Sequence, residues 1–534
     1  LSLVSGALVY DTDSNNIQIY NGTSWSALGS GGGGGGGGEA NQNAFHQIAV
    51  TGQSAIIADS TMDTVIFQNG SGISLTSNAT TDTLTFSATS DSSLGVVYAK
   101  HYGLDASKTD GTNVTAINNA IAALGDDGGT IFFPGGQFYL NASIDITRAN
   151  ATNSIRFVGS GHQNYGGDPT QNKSATPPVY GDVGGTVLRR DADDEFFNIT
   201  NSRAIHFVGI TFKGGAANGN GGNSGISGGN GAIYVLADAG CQGYLIENCV
   251  FHGIANCIHF KGLSDSIIRG CRFRNVPSNK GGGACIGLNE NGSEVIDQIR
   301  IQDCVIDGSP DGSAINSAID GISIYNTVST VYVTNTSAIR LKRSFYTDSS
   351  WDGDFLYFQN SEAERADSDG FSLNGTGNFI TIDNCFSCTN GSHGINILSN
   401  QNSSVNITNP NVRDNVGHGI LIDTNTINNC SIVNPAIGGN SRNSSGTNHG
   451  IFIGTNVNNV YISGGKIGGN TAELSGTGTQ GRGILINGSA HSNIRIIGTN
   501  VNGNQNADGI GASISSGNGN SIKFNAGSTV DIDT

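Results

Sequence analysis

The feature that most constrains this chain is a short pattern that returns about every 25 residues between positions 355 and 453. Each copy contains two runs in which apolar and polar residues alternate, as they do in a β-strand. The first run recurs at 369–373, 393–397, 418–422 and 449–453, and the second at 380–385, 405–410 and 430–435. A fixed repeat with two strand-like runs per copy predicts a β-solenoid.

Composition agrees with this fold. The chain has 534 residues, but a solenoid grows by adding coils, so its length does not require several separate cores. The 81 glycines and the abundant Asn, Ser and Thr suit many tight turns. A net charge of -17 argues against nucleic acid as a partner, and no apolar run reaches the ~18 residues of a membrane span. We therefore expect neither nucleic-acid binding nor membrane insertion.

The nine cysteines are an odd number, and several fall where the repeat points inward. We interpret them as buried free thiols, which pack as small apolar side chains. No paired CxxC clusters occur, so zinc is not expected. No cofactor is predicted, with calcium bound by aspartates as the one exception that the acidic segments leave open.

The chain divides into six predicted segments. Residues 1–30 form a small β unit, 31–38 are an unbroken glycine linker, and 39–94 form a second small β domain. Residues 95–140 begin the solenoid with an amphipathic helix from Val114 to Leu124 that stops at Gly125 and caps the first coil. Residues 141–515 form the coils, and 516–534 form a closing strand. The sequence lacks an initiator Met and a signal segment, which suggests a fragment of a longer or processed product.

Two stretches resemble known proteins. Residues 6–12 and 17–25 resemble the short hairpins of phage tail fibres, and residues 102–140 resemble the start of the pectate-lyase-like right-handed parallel β-helix superfamily, as seen in phage tailspikes. The resemblance implies an all-β, right-handed parallel β-helix on the virion that acts outside the cell. It further implies a homotrimer, attached to a phage tail or baseplate protein through the N-terminal region. The implied ligand is a bacterial surface polysaccharide, either O-antigen or capsule.

Aligning the coils reveals two columns of like residues. A turn position after one strand series is usually an amide, and the next position is small. The turn column is Asn248, Asp303, Asn335, Asn360, Asn384, Asn409 and Asn434, and the small column is Cys249, Cys271, Cys304, Thr336, Ser361, Cys385 and Pro410. Stacked amides predict an asparagine ladder.

Chemistry is expected where outward positions depart from Ser, Thr and Asn. Residues 346–369 hold seven carboxylates and one of the two tryptophans. Register places Ala363 inward, so Glu362 and Glu364 point outward with Cα atoms about 6.5–7 Å apart. Glycoside hydrolysis needs one protonated and one ionised carboxyl group. The predicted catalytic residues are Glu362, Glu364, Asp352, Asp354 and Asp369.

Aromatic and polar neighbours complete the predicted site. Stacked tyrosines beside a tryptophan would present apolar faces to sugar rings. The predicted substrate-binding residues are Trp351, Tyr332, Tyr357, Tyr346, Arg365 and Asp320.

Other functions remain open. Arg340, Lys342 and Arg343 with Tyr346 could support a polysaccharide lyase, which needs a base and cations that stabilise an anion. The acids could equally form a solvated or calcium-binding face, leaving a fibre that binds glycan without cutting it. A secreted bacterial surface protein is a further alternative, which residues 1–94 disfavour. The turn histidines 393, 418 and 449 are interpreted as stacked turn residues rather than a metal site.

Overall fold

The structure is a computed structural model in which the chain forms two compact units, Leu1–Ser87 and Ala88–Thr534. The glycine run 31–38 lies outside the described residues. The described residues are 5–13, 16–28, 47–48, 54–57, 65–68, 73–81, 83–88, 95–148, 153–161, 185–191, 195–214, 232–236, 241–277, 283–290, 292, 294–309, 314–399, 404–423, 427, 429–442, 448–454, 457, 459–468, 481–488, 494–501, 510–514 and 522–524.

The first unit contains small antiparallel sheets. Leu8–Asp11, Asn16–Tyr20 and Trp25–Ala27 form a three-stranded sheet. The tight turn before the last strand is fixed by Asn21, whose side-chain oxygen accepts the N–H groups of Thr23 and Ser24 at 3.0 and 2.9 Å. Two further strand pairs join Gln47–Ile48 to Ile56–Ile57 and Ile73–Asn78 to Thr83–Ala88.

The second unit is a parallel β-helix built from three all-parallel sheets, as the repeat predicts. The first sheet has 15 strands: Val96–Tyr98, Gly129–Phe132, Ile155–Val158, Ile205–Val208, Leu245–Glu247, Ser264–Arg269, Asp297–Gln302, Thr330–Thr334, Phe355–Gln359, Phe379–Asp383, Ser404–Thr408, Asn429–Val433, Val460–Ser463, Ile494–Ile497 and Ile522–Phe524. The second sheet has 13 strands: Gly136–Tyr139, Thr186–Arg190, Ile210–Gly214, Val250–His252, Arg272–Arg274, Val305–Asp307, Ser337–Ile339, Glu362–Glu364, Phe386–Cys388, Asn411–Arg413, Ala436–Gly438, Lys466–Ile467 and Asn500–Val501. The third sheet also has 13: Ile144–Thr147, Phe197–Thr200, Ile233–Leu236, Ile258–Lys261, Ala284–Leu288, Asp320–Ile324, Phe345–Thr347, Phe371–Gly375, Ile395–Ser399, Ile420–Ile422, Ile451–Ile453, Ile484–Gly488 and Ile510–Ile514.

The core runs along the axis because alternate residues point inward in the strands whose side chains the structure describes. In the first sheet, Leu356 and Phe358 are buried and pair with Ile380 and Ile382 of the next coil. Inward phenylalanines stack on one another from coil to coil, for example Phe251 with Phe273 at 5.0 Å and 6°. Each coil buries its apolar edge against its neighbours, so the hydrophobic effect stabilises the array rather than any single coil.

The predicted helix caps the first coil. Thr112–Leu124 packs Ile117, Ala120 and Leu124 against the core, and the chain leaves it at Gly125 with φ 54°. The buried side chain of Asn113 joins the helix to the coil by donating to the Tyr139 carbonyl at 3.1 Å. Among the described residues, no helix is long and apolar enough to cross a membrane.

The predicted asparagine ladder is confirmed. Asn335, Asn360 and Asn384 adopt left-handed backbone angles near 50°, and each amide nitrogen donates to the side-chain oxygen one coil earlier. The adjoining small column is buried, and all nine cysteines are free and buried, as predicted. Asparagine stabilises this turn because it tolerates the left-handed angle and supplies both a donor and an acceptor.

A second, buried ladder lies between the second and third sheets, and sequence analysis did not find it. Asn390, Asn415 and Asn440 are fully buried, and their amides form a chain of hydrogen bonds at 2.8 and 2.9 Å. The oxygen of Asn415 also accepts the backbone N–H of Asn390 at 3.1 Å. These bonds satisfy backbone groups that the tight corner would otherwise leave without partners.

Candidate active site

The predicted site residues lie on three different faces of the β-helix. Glu362 and Glu364 point outward from the second sheet, on either side of the buried Ala363, as predicted. Tyr332 and Tyr357 are outward neighbours on the first sheet, with ring centroids 6.1 Å apart. Asp320 and Tyr346 belong to the third sheet, and so the structure does not gather the predicted residues into one site.

The structure corrects the expectation that Trp351 stacks on sugar. Its side chain is only 1% exposed, and the indole N–H donates to the Val328 carbonyl at 3.0 Å. Two glycines make room for the ring: a Cβ at Gly377 would lie 2.1 Å from it, and one at Gly353 would lie 2.6 Å from its nitrogen. Trp351 is therefore a core residue at the corner between the third and first sheets.

The acids of the predicted catalytic set have separate partners. Glu362 accepts the Ser337 hydroxyl at 2.8 Å, and Glu364 pairs with Arg365 at 3.0 Å. Asp354 accepts from Ser329 and Asn378 at 2.9 Å each at the corner before the first sheet, and Asp352 is exposed nearby. Asp369 is buried at another corner, where it accepts the His393 N–H at 3.0 Å and the Asn396 amide at 2.8 Å.

The outer face of the third sheet carries a shallow floor between larger side chains. The central outward positions of five successive coils are Tyr234, His259, Gly287, Ser323 and Tyr346. Gly287 and Ser323 are the smallest members of this column and form the floor, and both are buried beneath neighbouring side chains. His259 bounds the floor at one end along the axis and Tyr346 at the other, three coils or about 14 Å away from the strand spacing.

One wall of this floor is an ion pair. Asp320 accepts two hydrogen bonds from Arg343, at 2.9 and 2.7 Å, and its side chain is only 4% exposed. The Arg343 guanidinium lies 3.3 Å from the ring centroid of Tyr346, and the Tyr346 hydroxyl donates to Asp348 at 2.7 Å. The pair is bidentate and stacked, the geometry in which arginine binds a carboxylate most firmly.

The opposite wall contains Glu290 and Tyr325, and their environments favour the protonated forms. Burial raises the pKa of Glu290, the charge of Asp320 adds to this, and Lys261 opposes it. Burial together with the charges of Glu290 and Asp320 also raises the pKa of Tyr325 well above its usual range. The ring of Tyr325 packs edge-on against that of Tyr346, with centroids 6.0 Å apart, and so connects the two walls.

Two carboxyl groups with different surroundings therefore share this face. Asp320 is bonded to Arg343 through both of its oxygens, whereas burial raises the pKa of Glu290. A pair of titratable groups with such different surroundings is typical of acid–base catalysis. Tyr346 and Tyr325 supply aromatic and hydroxyl contacts beside the pair.

Sequence reasoning found Asp320 and Tyr346 but missed Glu290, Tyr325 and His259. For His259, the sequence did contain a signal: in the strands of the third sheet, the alternation of inward and outward residues places His259 outward. Glu290 is an isolated acid in a turn, so no cluster of carboxylates marks it in the sequence. Its proximity to Asp320 depends on how that turn folds back, which no local pattern states.

The histidine column is a hydrogen-bonded stack. His393 and His418 rings stack at 5.2 Å, and the Nδ1 atom of each accepts the backbone N–H of the next coil's histidine, at 2.9 and 2.8 Å. These bonds use the ring nitrogens that face along the axis. Within the described part of the chain, no group of three or more His, Cys, Asp or Glu side chains is arranged to hold a metal ion.

No protein-family model and no curated protein matches the sequence. Several solved structures are similar. Tailspike protein 3 of bacteriophage CBA120 is 12% identical with a TM-score of 0.47, over 83% of this chain and 62% of that one. The DFA-IIIase of Arthrobacter chlorophenolicus A6 is 12% identical with a TM-score of 0.46, over 75% of this chain and 94% of that one. The A-module of the mannuronan C-5 epimerase AlgE4 of Azotobacter vinelandii is 15% identical with a TM-score of 0.39, over 82% and 97%.

Proposed function

We propose that this chain is a phage tailspike that binds a bacterial surface polysaccharide and cleaves it by endo-glycosidic hydrolysis on the outer face of the third sheet. The observation that supports the proposal is that Glu290 and Asp320 are near enough for the charge of Asp320 to raise the pKa of Glu290, while Asp320 itself forms an ion pair with Arg343. An extended polymer suits the outer face of a β-helix, because the face is long and has no deep pocket mouth.

Glu290 is the general acid in this proposal. Burial raises its pKa, which is the direction that a general acid needs to protonate the glycosidic oxygen as the bond to the leaving sugar breaks. Asp320 supplies the second carboxylate, which activates water or stabilises the positive charge that develops on the sugar ring. Arg343 orients Asp320 through two hydrogen bonds.

The ion pairs of Arg343 and Arg340 argue against these two residues as the cations of a lyase. A lyase needs a free cation near the uronic carboxylate, and Arg343 is already bound by both oxygens of Asp320. Arg340 is likewise paired with Asp307. Burial and the hydrogen bond to Asp348 raise the pKa of Tyr346 to about 12, so this tyrosine stays protonated at neutral pH instead of acting as a base.

The acids on the other faces remain a second proposed catalytic set. Glu362 and Glu364 are solvent-facing neighbours on one strand, and their spacing suits a carboxylate pair. Asp352, Asp354 and Asp369 lie at corners away from them. The aromatic residues Tyr332 and Tyr357 would then bind glycan on the first sheet, with Arg365 on the second.

The wider setting is also part of the proposal. The chain would act outside the cell on the virion, as a homotrimer whose N-terminal unit attaches to a phage tail or baseplate protein. Calcium bound by aspartates stays a proposal for the exposed acids.

Product analysis tests the proposal. Purified protein would be incubated with a panel of capsular polysaccharides and O-antigens, and fragments would be analysed by mass spectrometry and ultraviolet absorbance. We expect saturated oligosaccharides with new reducing ends. Glu290→Gln should reduce the rate at least about 100-fold, because general acids contribute 10²–10⁴-fold.

The double variant Glu362→Gln/Glu364→Gln is the matched control, since it removes two carboxylates from a different face. It should cleave at the wild-type rate. Loss of activity in that variant, with Glu290→Gln active, would move catalysis to the second sheet. Unsaturated ends would establish a lyase, and tight binding without fragments would establish a receptor-binding fibre.

A further inference from the structure

Two adjacent phenylalanines are exposed on the outer face of the first sheet. Phe355 and Phe379 are 49% and 45% exposed, although the next residue of each strand is buried in the core. Their rings stack across two neighbouring coils, with centroids 5.0 Å apart and planes 9° apart. Exposed apolar side chains that adjoin one another form a patch, and a patch with a polar rim indicates a binding surface.

The repeat itself does not require phenylalanine at this outward position. The equivalent residue is Thr330 one coil earlier, and it is Ser404 and then Asn429 on the two coils that follow. Each phenyl ring stacks on the other through one face, and its second face lies towards Thr330 or Ser404, which are too short to cover it. The two phenylalanines therefore form a ridge on a polar column, the phenylalanine ridge, with an aromatic face towards each end of the β-helix.

A row of polar side chains runs beside the phenylalanine ridge, at the corner where the chain enters the first sheet. Asp354 accepts the hydroxyl of Ser329 through Oδ2 and the amide of Asn378 through Oδ1, both at 2.9 Å. One bond to each oxygen leaves a carboxylate able to accept more, because it has about four acceptor sites. The backbone holds the row and the ridge in register, since the Phe379 N–H donates to the Asp354 carbonyl at 2.9 Å.

The size and chemistry of the phenylalanine ridge suit a sugar better than a protein partner. The ridge is two coils wide, about 10 Å from the strand spacing, whereas a stable protein interface covers about 800 Å² on each partner. A pyranose ring has an apolar face of C–H groups and a rim of hydroxyl groups. Its face can stack on an aromatic ring while its hydroxyls bond to a carboxylate beside that ring.

We propose that the phenylalanine ridge is a second glycan-binding site, at which a pyranose ring of the polysaccharide stacks on Phe355 or Phe379 and donates a hydroxyl hydrogen bond to Asp354. The proposal rests on the proposed function for its ligand, a polysaccharide, but not for the cleavage step. The ridge belongs to the first sheet, whereas Glu290 and Asp320 lie at the third, so the ridge binds the polymer without taking part in its hydrolysis. A second attachment point raises the effective concentration of a long polymer near the protein.

Substitutions that follow the repeat test the proposal. Phe355→Thr/Phe379→Ser gives these two coils the residues that their neighbours have at the same position, so the core and the register are kept. Phe355→Tyr/Phe379→Tyr keeps two aromatic rings. Binding would be measured by calorimetry in the Glu290→Gln background, with the panel polysaccharide that this parent binds most tightly. We expect binding at least about tenfold weaker for the first double variant and within about threefold of the parent for the second.

Tyr461→Ser is the matched control. Tyr461 is an outward aromatic of the same sheet, 37% exposed, on the third coil after that of Phe379. Its substitution removes an exposed ring from this face but leaves the phenylalanine ridge intact, so glycan binding should not change. Circular dichroism of every variant checks that the β-helix is folded, and light scattering gives its oligomeric state.

The outcomes separate this proposal from the proposed function. If Phe355→Thr/Phe379→Ser binds as tightly as its parent, or if Tyr461→Ser weakens binding equally, the proposal is overturned even when Glu290→Gln abolishes cleavage. If the double substitution dissociates an oligomer and leaves binding unchanged, the ridge is a contact between copies of the chain, and the proposal is again overturned. If wild-type protein releases no fragments but the double substitution weakens binding, hydrolysis is wrong and the glycan site on the ridge stands.

Discussion

The two carboxyl groups of the candidate active site have different electrostatic surroundings. Glu290 and Asp320 share one face, but burial raises the pKa of Glu290, whereas Asp320 forms an ion pair with Arg343. Lys261 is the positive charge that restrains the rise in the pKa of Glu290. The balance between these residues determines the pH range in which an acid and a base coexist.

Lys261→Met should therefore shift the pH profile of hydrolysis. Removing this positive charge raises the pKa of Glu290 further, and activity falls as pH rises through that pKa because the acid loses its proton. We expect the alkaline limb of kcat/KM to move to higher pH. Arg300→Met is the control, since Arg300 lies over Tyr332 on the first sheet. A limb that moves to lower pH, or equally in both variants, would contradict the role of Glu290.

Trp351 provides a second test at this scale, because its burial makes it structural. Trp351→Ala should destabilise the protein by about 3–5 kcal/mol through the cavity and the lost hydrogen bond, lowering the thermal midpoint markedly. Tyr357→Ala, which truncates an outward aromatic, should change the midpoint little. Glycan affinity of the folded Trp351→Ala protein should equal that of wild type. A normal midpoint with lost affinity would instead support the sugar-stacking interpretation.

Ladders are the elements that make the turns of this β-helix alike. The exposed asparagine ladder, the buried asparagine ladder and the histidine stack each connect coils about 4.8 Å apart through side chains. Each member contacts its equivalents on neighbouring coils, and the buried asparagines and the histidines also satisfy backbone groups, so stability is distributed along the axis. A change in one member should act locally and depend on what its backbone angle and partners require.

Substitutions at Asn360 separate the contribution of the ladder hydrogen bonds from that of the left-handed backbone angle. Asn360→Ala removes both ladder bonds and places a Cβ-bearing residue without side-chain compensation at φ 48°. We expect a loss of about 1–2 kcal/mol in the free energy of unfolding. Asn360→Gly should cost less, because glycine tolerates this angle and occupies the equivalent turn at Gly270. Equal losses in denaturant-midpoint measurements would show that the angle is unimportant.

The histidine stack should make stability depend on pH. Burial lowers the pKa of His418 to about 3 and that of His449 to about 4, below the unfolded value of about 6.5. The unfolded chain therefore binds more protons below pH 6.5, so this contribution is complete above that pH and is lost as pH falls towards 4. The loss at pH 5 should be on the order of 2 kcal/mol per histidine.

His418→Asn offers a carbonyl oxygen in place of Nδ1 and does not titrate. Its thermal midpoint should fall less than that of wild type between pH 7.5 and 5, at matched scan rates. An identical pH dependence in the two proteins would show that the stack does not control acid stability.

At the scale of the whole molecule, three sheets give three independent outer faces. The β-helix begins with Val96–Tyr98, after the boundary between the two units at Ser87. Residues 88–534 should therefore fold alone and cleave polysaccharide at the full-length rate. Circular dichroism and product analysis of this fragment test the claim. Loss of cleavage by a well-folded fragment would show that the first unit contributes to the active site.

The repeat made the fold predictable from the sequence. The residues of the candidate active site could be predicted only in part. Strand alternation, the capping helix and the Asn360 turn follow from local periodicity and turn chemistry. Glu290 and Asp320 lie on different coils, 30 residues apart in the sequence, and the burial of Trp351 depends on glycines two and 26 residues away. Such contacts depend on the three-dimensional path of the corners, which alternation alone does not specify.

The most direct test of the central claim is a crystal structure of Glu290→Gln bound to an oligosaccharide fragment of a polysaccharide that the protein binds. We expect density for the sugar on the third sheet between His259 and Tyr346, with a glycosidic oxygen next to position 290. Sugar bound along Glu362 and Glu364 on the second sheet, or along Tyr332 and Tyr357 on the first, with an empty third-sheet floor, would contradict it.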